Sequence, residues 1–211
     1  MINLQRCKEC LDNPEFTDEY FLKIHFYVEG ILKRLMLFGL RKMGLQYKTA
    51  VTFIKRYDSK NIEFLIDDTF KILRIDGAII RGISRFDELK EFVIEFSSKY
   101  RNLRVHGLYD KITDNNLLQA LVGCDYHFIK KLEIILERAK IPSFYEKPSA
   151  WVGVNKGTVS SVGQLNGINL SGRLHEPSKM KYSAERVLET LLYVQSRCNL
   201  PLKIKRMSKN D

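Results

Sequence analysis

The sequence predicts a mainly α fold: a helical bundle over residues 1–140, followed by a small C-terminal α+β extension over 141–211. Three observations carry that expectation. Apolar residues recur at helical spacing in successive segments ahead of Pro142. From Ile141 onward the texture changes to frequent Pro, Gly and Ser with short β-prone runs. An apolar fraction of 45% with 28% charged residues is that of a chain able to bury a core of its own.

The first helix is expected over 17–44, where Phe21, Ile24, Val28, Ile31, Leu32 and Leu35 share a face. Thr17 or Asp18 can cap it and Gly44 can stop it. Two shorter helices are expected at 49–57 and 61–75, separated at Asp58-Ser59. A fourth is expected at 84–100, with the stripe Phe86, Leu89, Phe92, Val93 and Phe96. The last strong helix is expected at 114–139, ended by Pro142. In the extension, β-prone runs fall at Ala150–Val154, Thr158–Leu165 and Ile168–Leu170. A helix is expected near 183–197 and a strand at Leu202–Met207.

The net charge is +10, unevenly distributed: residues 1–140 carry +4 and residues 141–211 carry +6, ending in Lys203, Lys205 and Arg206. That excess favours a polyanionic partner, nucleic acid foremost, over the alternative that it only keeps the chain soluble. Lys33, Arg34, Arg41 and Lys42 interrupt the most apolar stretch, so no membrane span is expected. The first residues lack the apolar core of a signal peptide, and the expected location is the cytoplasm. Cys7 and Cys10 have the spacing of half a zinc site, but no second pair follows, so neither a metal nor another cofactor is expected. No helix-turn-helix with a basic second helix is readable, which ranks a DNA-binding regulator last.

The segment RNLRVH (residues 101–106) combines Arg101, Asn102 and His106. Cutting RNA without a metal needs a base for the 2′-hydroxyl, a charge-stabilising group at phosphorus and an acid for the leaving oxygen. Histidine suits the first and last roles, and the arginine fork suits the second. Asn102 is placed to orient either group. Where a helix begins or a loop turns, the two would reach one phosphate, and a helix start would add its free backbone N–H groups. Spacing alone would arise by chance in about one such chain in four; the preceding amphipathic helix and the asparagine sharpen it.

Arg101-Asn102-x-x-x-His106 resembles the Rx4–6H signature of HEPN domains, helical ribonuclease modules of toxins and phage-defence systems. The stretch Ile24–Leu40, with Glu29, Ile31, Leu32 and Lys33, resembles the opening helix of that family. The resemblance covers about residues 15–140. It implies a HEPN-like bundle and a metal-independent endoribonuclease, with Arg101, Asn102 and His106 catalytic. It further implies RNA as substrate, a homodimer with a composite active site, and an antitoxin or effector protein as a further partner. Some relatives carry tyrosine two residues after the histidine. Here Leu108 holds that position and Tyr109 follows, which argues against control by adenylylation.

Around this site, Arg104 and Tyr109 are candidate RNA contacts, one for phosphate and one for a base, as are Lys203, Lys205 and Arg206. The plainer readings are a solvated charge for Arg104 and a core-edge ring for Tyr109. Glu29 is expected to pair with His25 or Lys33 on its own helix, or to support the cleft beside Arg101. His25, His127 and His175 read as structural or surface residues. The alternative function is a non-catalytic HEPN-like dimer that binds RNA or protein.

Overall fold

The computed structural model describes residues 17–58, 61–105, 115–144, 151, 154 and 157–161, and the fold they form is mainly helical. Helix α1 runs Thr17–Lys42, α2 Tyr47–Lys55, α3 Ile62–Leu73, α4 Gly77–Arg81 and α5 Phe86–Phe92. A π-helical turn, Val93–Ser97, leads into α6, Ser98–Val105, and α7 is Asn115–Arg138. The described residues divide into two compact units. One takes 17–25, 88–105 and 115–128; the other takes 26–58, 61–87, 129–144 and the short pieces up to 161.

The helix boundaries follow local chemistry. After α1 the chain turns at Gly44, whose φ of 91° is costly for any residue with a Cβ, and Leu45 N–H bonds back to Leu40 O at 3.1 Å. Asn61 caps α3 by accepting from Glu63 N–H, and Asp76 caps α4 by accepting from Ala78 N–H at 2.8 Å. Helix α4 is one turn that no apolar period announces. The separation expected at Asp58-Ser59 falls between α2 and α3.

In the larger unit, Leu32, Leu35, Met36 and Leu40 of α1 are buried, as are Ile62, Leu65, Ile66 and Phe70 of α3. Each such side chain contributes roughly 1.5–3 kcal/mol. Gly39 lets α1 and α3 approach closely, since a Cβ there would lie 2.6 Å from Ile72 Cγ2. Phe70 stacks on Phe86 with centroids 5.9 Å apart, and Phe38 meets Trp151 edge-on at 5.1 Å. The smaller unit buries Phe21 and Ile24 of α1, Leu89, Phe92, Val93 and Ile94, and Leu121, Val122 and Phe128 of α7.

Among the described residues the only β pairing is an isolated parallel bridge, Leu45 with Val159. The described part of the expected strand Thr158–Leu165 is therefore a short extended strap. The runs at Ile168–Leu170, 183–197 and Leu202–Met207 lie outside the described residues. So do Cys7 and Cys10.

Candidate functional site

The helical backbone from Phe86 to Val105 is continuous, with αR geometry at both ends of the π turn. A π turn inserts one extra residue, which rotates everything after it by about 100° relative to a regular α-helix. The consequence is visible in burial. Phe96, expected in the apolar stripe, is only half-buried and stacks on Phe92 at 4.8 Å. Ser97 and Ser98 are buried in its stead. Arg101, four residues past Ser97, continues that inward face and is half-buried.

This corrects the local expectation at the motif. The helix does not stop at residue 100 but runs on through Arg101 and Asn102. The site therefore has no helix start at Arg101, and its amides do not point at an anion there. Arg101 Nη1 donates to Asn102 Oδ1 at 2.6 Å, and its Nε is shut away from solvent. Burial lowers the guanidinium pKa from its ordinary value, because desolvation penalises the charged form. The arrangement is a partly desolvated guanidinium held by its neighbour Asn102.

His106 and Tyr109 follow directly on this helix but lie outside the described residues, as do Lys203, Lys205 and Arg206; of Arg104 only its place in α6 is described. Glu29 is half-buried on α1 and belongs to the other unit from Arg101. Of its two expected partners, Lys33 donates to Asp58 Oδ1 at 2.5 Å.

His25 and Asp125, both fully buried, form a pair that no local pattern announces. His25 Nδ1 lies 3.0 Å from Asp125 Oδ2. The pair ties α1 to α7 within the smaller unit, and its full burial keeps it from a ligand. His25 is thus structural, as its sequence context suggested. In the larger unit Tyr57 OH donates to the buried Asp68 Oδ2 at 2.6 Å, with Lys71 Nζ 3.5 Å from the other oxygen.

No His, Cys, Asp or Glu cluster suited to a metal occurs among the described residues, and no described helix is long and apolar enough to cross a membrane. No family model, no curated protein and no solved structure matches the chain. Its established class is that of a mainly helical bundle.

Proposed function

We propose that the protein is a metal-independent endoribonuclease of the HEPN type, acting in a toxin or phage-defence system as a homodimer with a composite cleft. A histidine base takes the 2′-hydroxyl proton, O2′ attacks phosphorus, and the P–O5′ bond breaks. The leaving O5′ receives a proton, which gives a 2′,3′-cyclic phosphate and a 5′-hydroxyl. His106 is the acid or base, Arg101 stabilises charge on the phosphoryl oxygens, and Asn102 orients the guanidinium. The observation that carries this reading is the state of Arg101: half-buried on the serine face of the helix and anchored by Asn102 at 2.6 Å. A pre-oriented, partly desolvated fork interacts with phosphate more strongly than a mobile exposed one.

The test is cleavage of RNA in the presence of a chelator by the wild type and by His106→Ala. Cleavage by the wild type alone, leaving cyclic-phosphate ends, is the expected result. Equal activity in both overturns this reading; no cleavage by the wild type, with salt-dependent RNA binding retained, replaces it with that of a non-catalytic RNA-binding dimer.

A further inference from the structure

The larger unit has an open groove of about 440 Å³ along one face of α2, closed on its far side by the 157–161 strap. That volume is within the range of small-ligand sites, about 300–1,000 Å³. Lys48 and Arg56 stand at its two ends, with Thr49, Thr52 and Phe53 between them on the helix; Ser160 and Ser161 face them from the strap. The two residues are eight positions apart, about 12 Å along the helix axis between their backbones. Its polar lining is two cations and four hydroxyls, and among the described residues no carboxylate borders it. The amino end of α2, which no side chain caps, adds its positive potential at the Lys48 end.

The groove is built rather than incidental. Val159 N–H donates to Gly44 O at 3.0 Å, Gln46 N–H donates to Val159 O at 2.9 Å, and Thr49 Oγ1 donates to Ser160 O at 3.2 Å. Gly157, at φ 86°, lets the strap lie this close, since a Cβ there would fall 2.8 Å from Leu45 O. On the helix side, the Arg56 guanidinium sits 5.8 Å from the centroid of the half-buried Phe53 ring. That contact holds the cation beside an aromatic surface.

We propose that this groove binds single-stranded RNA, with a base stacked at Phe53 and flanking phosphates held by Lys48 and Arg56. Aromatic surface between cations is how single strands are gripped without sequence readout. The hydroxyls of Thr52 and Ser161 suit phosphate or ribose oxygens. An acidic protein segment would use the cations but gain nothing from the ring. A lone phosphate would not span both ends. The proposal goes beyond the cleavage reading and holds whether or not RNA is cut, because the groove and Arg101 belong to different units.

The experiment measures binding of a labelled 2′-O-methyl oligouridine, which cannot be cleaved through its 2′-oxygen, by fluorescence anisotropy across a salt series. In Lys48→Gln/Arg56→Gln, two exposed positions, affinity is expected to fall tenfold or more. The slope of log K against log salt becomes shallower by about one to two units. Phe53→Leu, which keeps apolar packing, weakens binding several-fold with an unchanged slope. Unchanged affinity and slope in the double variant overturn the proposal. So does displacement of the RNA by polyglutamate at equal charge, or by inorganic phosphate or uridine monophosphate at equal phosphate concentration.

Discussion

Arg101 Nη1 donates a 2.6 Å hydrogen bond to Oδ1 of Asn102, the next residue along the same helix. Neighbouring helical residues do not normally face each other, so the bond draws the guanidinium sideways and fixes the direction of its fork. Asn102→Ala frees it, and a misplaced charge-stabilising group costs about a hundredfold in rate. Arg101→Lys keeps the charge but loses the fork, with an expected loss of about 10²–10³-fold. Single-turnover cleavage of a labelled RNA, with circular dichroism to verify folding, measures both. Wild-type rates for Asn102→Ala would remove the asparagine from the site.

Arg101 also sits where burial disfavours its charge. Holding a cation against desolvation costs stability, and sites of function are where such a cost is commonly retained. Arg101→Met retains the length of the side chain and removes the charge. Its urea midpoint is expected to equal or exceed that of the wild type while RNA cleavage is lost. A clear fall in the midpoint would mark Arg101 as structural.

The His25–Asp125 pair behaves in the opposite way. Both residues are fully buried, so removing one leaves the other's polar group without its partner in a low-dielectric interior. His25→Leu and Asp125→Leu should each lower stability by about 2–5 kcal/mol. The double replacement His25→Leu/Asp125→Leu removes both polar groups and should lose much less than the sum. Urea denaturation of the four proteins forms a double-mutant cycle, and strictly additive losses would contradict coupling.

The long helices were legible because their apolar residues repeat at a single period. Phe21 to Leu35 mark α1, and Gly44 stands at its predicted stop with the positive φ a stop needs. The end of the helix carrying the motif was misread for a physical reason. SSKYRNLR has almost no apolar residues to extend the stripe, and the π turn shifts the phase so that Ser97 and Ser98 are buried where Phe96 was expected. Helix α4 is five residues long, too short for any period. The His25–Asp125 pair joins positions a hundred residues apart, and the strap at Val159 depends on a backbone pairing with Gly44 and Gln46. Neither leaves a local signal. Arg101 and Asn102 were legible as types at a spacing; their burial was not.

Two glycines on α1 make opposite predictions. A Cβ on Gly39 would lie 2.6 Å from Ile72 Cγ2 and 3.2 Å from Leu73 Cδ2. Ile72 is buried and β-branched, so it has little freedom to yield. Gly39→Ala should therefore destabilise, because overpacking costs about 1–3 kcal/mol against a helix-propensity gain of about 1 kcal/mol. Gly30 has no atom within 4 Å of the added carbon. Gly30→Ala should stabilise by about 0.5–1 kcal/mol. Thermal or urea midpoints of the two variants should move in opposite directions.

Tyr57 gives the fold an alkaline limit. Its ring is buried and its hydroxyl donates to Asp68 Oδ2 at 2.6 Å. Burial first, then the hydrogen bond and the negative charge of Asp68, raise its pKa well above the ordinary 10.0. A raised pKa favours the protonated native state, so this contribution is fully present below pH 10, the unfolded value. Above pH 10 the unfolded chain releases the phenolic proton while the native chain retains it. Stability attributable to Tyr57 should then fall by about 1.4 kcal/mol per pH unit. Tyr57→Phe removes the titrating group and leaves Asp68 without its donor, so it is expected to be less stable near neutrality. The comparison is of denaturation midpoints from pH 8 to about 11.5: the wild-type curve should bend downward past pH 10 more steeply than that of the variant, and parallel curves would show that Tyr57 does not titrate abnormally.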